Sequence, residues 1–107
     1  MEVIVLKEFT DWIYKLKDSL ETEFNVEIIQ HENYFTKINL DSGEYISQII
    51  FWDNHNLYEA EVLSIVSGET LFIKSGEALA SDKFSELFRD FFLVIHLKKI
   101  NLLTQIT

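Results

Sequence analysis

Cysteine and proline are both missing from this 107-residue chain, and glycine occurs only at Gly43, Gly68 and Gly76. Without cysteine there is no disulfide, no zinc–thiolate centre and no thiol nucleophile. Three scattered glycines build neither a phosphate-cradling loop nor a nucleophile elbow. Cations are scarce as well: 9 Lys and Arg stand against 18 Asp and Glu, for a net charge of −9. Direct binding to nucleic acid and to anionic membranes both require the opposite balance. An acidic chain favours basic partners and electrostatically steered association, or it is acidic for solubility alone. Long apolar runs are missing too, since "FFLVIHL" is far too short to span a bilayer. The N-terminal "MEVIVLKEFTDW" has an acid at position 2 and no basic n-region of a signal peptide. The expectation is a mature cytoplasmic protein.

Hydrophobic residues make up 48% of the chain, enough for one folded domain over residues 1–107 with a real core and no staples. Phe9, Trp12, Ile13, Leu16 and Leu20 recur at helical spacing and predict an amphipathic helix from about residue 3 to 23, stopping near Asn25. Then come short β-prone runs separated by turn residues: "NVEIIQHE", "YFTKINL", "EYISQIIFW", "LYEAEVLSI" and "ETLFIKS", with turns at Asn33, Asp41–Gly43, Asp53–Asn56 and Ser67–Gly68. Regular strands with tight turns imply an antiparallel meander of about five strands. A second stripe, Phe84, Leu87, Phe88, Phe91, Phe92 and Ile95, predicts a C-terminal helix, with Ser81 placed to cap it and Asp82 at its positive end. The expected fold class is α+β, with both helices on one face of the sheet and the other face open.

Chemical motifs are nearly absent. Asp53 and His55 in the "DNHN" turn are possible metal ligands, but a site needs three or four that converge, and such a turn is more often only a turn. His96 reads as a helix-surface or tail-contact residue. Glu59 and Glu61 point to the same side of a strand. Catalytic carboxylates need a concave, desolvated pocket that separates their pKa values, and a short exposed strand offers none. No enzyme, metal or cofactor is therefore expected. Trp12 belongs to the core stripe. Trp52 is read first as packing at the edge of the core and second as an aromatic anchor for a partner.

One stretch stands apart. From Ile38 to Ile73 there is no Lys or Arg, while Asp41, Glu44, Asp53, Glu59, Glu61 and Glu69 all fall there. Crowded like charges repel, and a basic surface such as that of a nuclease would relieve them. Asp53, Glu59, Glu61 and Glu69 are the leading candidates for partner contact, with Asp41 and Glu44, and with Trp52, His55 and Tyr58 as neighbours.

Several segments resemble the TriTu-type family of immunity proteins: "FTDWIYKL", "NVEI", "INLDSGEYISQIIFWD", "AEVLSIVSGETLF" and "SDKFSELFRDFF", from about residue 9 to 92. The tail from Val94 to Thr107 is not covered by the resemblance. These are structural and turn features, not a catalytic signature. The resemblance implies a cytoplasmic antidote, monomeric when free, that neutralises the C-terminal toxin domain of a contact-dependent growth inhibition system. It further implies that the toxin is an RNase acting on transfer RNA, with elongation factor Tu as a helper. The antidote would plug or flank a basic active site. The competing reading is an adaptor or chaperone-like module that takes a basic or amphipathic segment on its open sheet face. An immunity gene is expected directly downstream of a large toxin gene, which an adaptor does not require.

Overall fold

The computed structural model describes residues 5–95. The first helix, α1, spans Val5–Leu20 in the described part. Five strands follow: β1 (Asn25–His31), β2 (Phe35–Asp41), β3 (Tyr45–Trp52), β4 (Leu57–Ser64) and β5 (Thr70–Glu77). They form one antiparallel sheet in the order β1-β2-β3-β4-β5, the meander that the turn spacing predicts. Two short helices, α2 (Phe84–Leu87) and α3 (Arg89–Val94), complete the described chain. His96 and the C-terminal tail lie outside the described residues.

Register decides which side chains share a face. Ile28, Ile38, Ile49, Ala60 and Lys74 are successive cross-strand partners, and so are Val26, Leu40, Ser47, Val62 and Phe72. Ile38, Leu40, Ile49, Phe51, Ala60 and Val62 on this side are fully buried. The stripe of α1 lies against them, as do Phe84, Phe88, Phe91 and Phe92 from the C-terminal helices. Both helical segments thus cover one face, with α1 over β1 to β3 and α3 over β4 and β5. Phe9 sits at the junction, stacked on Phe51 at 5.0 Å and edge-on to Phe84 at 5.6 Å and Phe88 at 5.8 Å. A buried hydroxyl pair, Thr10 with Thr36 at 2.6 Å, ties α1 to β2, and Thr10 Oγ1 also lies 2.8 Å from the Leu6 carbonyl.

The helix ends differ from the sequence expectation. α1 stops at Leu20, not near Asn25. The Phe24 N–H donates back to the Leu20 carbonyl at 2.9 Å, so the chain turns over residues 21–23, and Asn25 opens β1 without a left-handed backbone. Ser81 does not cap the next helix, which begins three residues later behind an extended Lys83. The carboxylate of Asp82 instead accepts the Leu79 N–H at 2.7 Å and closes the loop ahead of the helix.

The C-terminal stripe is one face but not one helix. Phe88, at φ −108° and ψ 11°, separates α2 from α3. At this break Lys74 Nζ donates to the Leu87 carbonyl at 3.0 Å. A cation at a helix C-terminus satisfies a carbonyl that the helix leaves open and meets the negative end of the dipole. Lys74 stands on the covered side of the edge strand β5, half-buried, so its stem is packed while its amine reaches the helix end. Lys74→Met keeps the stem and removes the donor. It is expected to destabilise the fold by about 1.5–3 kcal/mol, the usual range for a hydrogen bond from a charged group, readable as a lower urea midpoint.

Candidate functional site

The opposite face of the sheet carries no described helix. Its rows follow from the same register: Glu27, Asn39, Gln48, Glu61 and Ile73, then Ile29, Lys37, Ile50, Glu59 and Ser75. A third row, His31, Phe35 and Trp52, crosses the end of the sheet where β1 turns into β2 and β3 into β4. This face bears Glu27, Asp41, Glu59, Glu61 and Glu77, against Lys37 as its one cation. Lys37 forms no ion pair with any of them. It stands two strands from Glu59, roughly 10 Å at the usual strand spacing. Among the described residues the only ion pair is Lys7 with Asp11 on α1.

Glu59 and Glu61 lie as expected, side by side on the open side of β4 and half-buried among neighbouring side chains. The other acids of the cation-free stretch do not join them. Asp53 follows β3 at one end of the sheet, in a turn whose His55 and Asn56 take positive φ. Glu69 sits at the far end, in the loop between β4 and β5, where its N–H bonds Ser67 Oγ at 3.2 Å. Asp41 and Glu44 share that far end, and the Glu44 carbonyl accepts the Ile65 N–H at 3.0 Å. A strand of eight residues is about 25 Å long, so Asp53 and Glu69 cannot form one tight cluster. What is contiguous in sequence is divided into a central pair and two ends.

Two aromatic expectations separate cleanly. Trp52 ends β3 on the open face, half-buried, with Phe35 beside it. Tyr58, expected among the surface neighbours, points the other way. It is 6% exposed, packs against Phe51 and Phe88, and crowds Gly76, where a Cβ would come to 3.1 Å from its Oη. Burial, and secondarily the Asp82 carboxylate, pushes its phenol above the ordinary value. The reason is parity: Tyr58 and Glu59 are adjacent on a strand and so face opposite sides.

Register also adds residues that the stretch itself does not contain. Glu27, Tyr34, Phe35 and Glu77 border the open face from β1, the β1–β2 turn, β2 and β5. Phe35 and Lys37 alternate with Thr36 and Ile38, so the alternation of "YFTKINL" already carried this signal. A shallow cleft elsewhere, between α1 and the segment ahead of α2, gathers Glu8, Asp11, Lys15, Asp82 and Lys83 around Trp12. Its charges are mixed, unlike those of the sheet. Among the described residues no three His, Asp or Glu side chains are grouped as metal ligands would be. No described helix is long and apolar enough to cross a membrane.

A chemically coherent surface therefore exists, a flat sheet face of aromatic, aliphatic and carboxylate side chains. Such a surface suits a protein partner better than a small molecule, which needs a concave site. A family model described as "Immunity protein TriTu" matches residues 7–94 of the chain. No curated protein matches it.

Proposed function

The chain belongs to the TriTu family of immunity proteins, and from that premise we propose that it binds a cognate toxin domain and neutralises it. The observation that carries this reading is the open sheet face, where Glu27, Glu59, Glu61 and Glu77 stand against the single Lys37. A domain that cuts RNA must offer cations to phosphates, and an acidic face is complementary to it. The toxin in this reading is an RNase acting on transfer RNA, delivered by neighbouring cells in contact-dependent growth inhibition, in a complex that includes elongation factor Tu. The antidote acts in the cytoplasm, monomeric until it meets the toxin. It works by stoichiometric occupancy over or beside the basic active site, without turnover and without a cofactor. Glu44, Asp41 and Glu69 at one end of the sheet, and Asp53 at the other, extend the acidic field that steers approach, with His55 beside Asp53 as a hydrogen-bonding neighbour.

The test is co-expression with the C-terminal domain of the large toxin encoded directly upstream. The expected result is a 1:1 complex that survives purification at physiological salt, together with survival of cells that otherwise lose intact transfer RNA. Absence of both the complex and protection would sink the reading.

A further inference from the structure

The open face is not uniform. At the end where β1 turns into β2, four aromatic rings lie outside the core. His31, Phe35 and Trp52 are cross-strand partners in one row. The His31 ring stacks on Phe35 at 5.6 Å and on Tyr34 at 5.5 Å, with interplanar angles of 23° and 25°. Tyr34 is 61% exposed, and Phe35 and Trp52 are half-open. The turn backbone supports this shelf, since the Asp53 N–H donates to the Tyr34 carbonyl at 2.8 Å and fastens the β3 end to the β1–β2 turn. Glu32 and Asp53 belong to the two turns at this end of the sheet, and Glu59 and the lone cation Lys37 both stand in the next row of the face.

Resting on the toxin-binding reading, we propose that this aromatic shelf is the anchor point of the interface and that it receives an arginine-bearing loop of the toxin domain. A guanidinium gains twice here. It stacks flat on an aromatic face, and it donates to carboxylates at the edge of the same patch. Interfaces concentrate their binding energy on a few aromatic and arginine residues ringed by weaker polar contacts, and rings bordered by acids match that pattern. The alternative occupants fit less well. A nucleic-acid strand would stack on the rings, but it would bring phosphates against Glu32, Asp53 and Glu59. A second copy would press one acidic face against another.

The measurement is binding of the full chain to the upstream-encoded toxin domain, with association and dissociation rates followed separately. Trp52→Ala is expected to weaken binding about 30-fold, almost wholly through faster dissociation. Tyr34→Ala, at a more exposed position, is expected to weaken it less and in the same sense. Leu79→Ala, at an exposed apolar position off the sheet, is the control and should bind like the parent. Should Trp52→Ala fail to fold, Tyr34→Ala and Phe35→Leu carry the test. If the parent binds and these variants bind equally well, the anchor is elsewhere while the antidote function stands. If the parent itself does not bind, the functional reading has failed, whatever the variants do. Shelf-dependent binding of transfer RNA, or shelf-dependent dimerisation, would also overturn the proposal.

Discussion

Replacing Glu59 and Glu61 together by lysine is expected to slow association with a basic toxin domain about 10- to 100-fold at low salt, the range over which electrostatic steering acts. The pair is chosen because it lies at the centre of the open face and not in a loop. Both side chains point outward from β4, and their cross-strand neighbours are Ile50 and Ser75 for Glu59, and Gln48 and Ile73 for Glu61. None of those neighbours is charged, so lysines there meet no like charge directly opposite. Both glutamates are half-buried but neither takes part in an ion pair among the described residues, so the reversal breaks none and the fold should survive. Added salt should slow the parent's association and barely change that of the variant, because screening removes an attraction the variant no longer has. Stopped-flow association at several salt concentrations reads this directly. An unchanged rate would make the carboxylates a solvated face only. The single reversals Asp53→Lys and Glu69→Lys should each do less, since these positions lie at opposite ends of the sheet.

The contrast with the aromatic shelf is physical. Long-range charge acts before contact and so appears in the association rate. Desolvated rings act after contact and appear in dissociation. Charge reversal and ring removal on one face should therefore separate kinetically, and their effects should combine nearly independently if they serve different steps.

How much of this could be read from the chain alone varies by element. The strands were legible because each β-prone run is bounded by residues that turn the chain at little cost, and Gly68 takes φ +72° where its turn requires it. Helix ends were not, because they are set by distant partners. The break at Phe88 coincides with a lysine 13 residues away that reaches the Leu87 carbonyl, and a 3.6-residue stripe tolerates such a break without losing its face. The sheet faces were half legible. "LYEAEVLS" alternates cleanly and puts both glutamates outward. "EYISQIIFW" has large apolar residues on both parities, so alternation alone cannot tell Phe51, fully buried, from Trp52 on the open side. Register against β4 resolves it, since Phe51 opposes Tyr58 on the covered face. The same register dissolves the expectation that the cation-free stretch is one surface, because adjacency in sequence places its acids at both ends of the sheet.

Phe9→Ala is expected to have the largest effect on stability, about 3–5 kcal/mol. Phe9 is completely buried and is the ring at which every layer meets, touching Trp12 on its own helix, Phe51 on β3, and Phe84 and Phe88 on the C-terminal segments. Truncation removes the transfer free energy of the ring and leaves a cavity whose walls are themselves rigid aromatic side chains held by other contacts. The site therefore has little freedom to collapse, which places the cost toward the upper end of the range. A domain of this size typically has about 5–15 kcal/mol in total. With a urea m-value of about 1–2 kcal/mol/M, the unfolding midpoint should fall by roughly 1.5–5 M. A shift below about 0.5 M would mean that Phe9 is not the packing centre its contacts describe. The variant also separates fold from function. It should lose protection of cells through lower abundance of folded antidote, while the fraction that remains folded binds the toxin domain with the parent's rates. Trp52→Ala should show the reverse, with normal abundance and fast dissociation, because its ring lies on the face that no described helix covers.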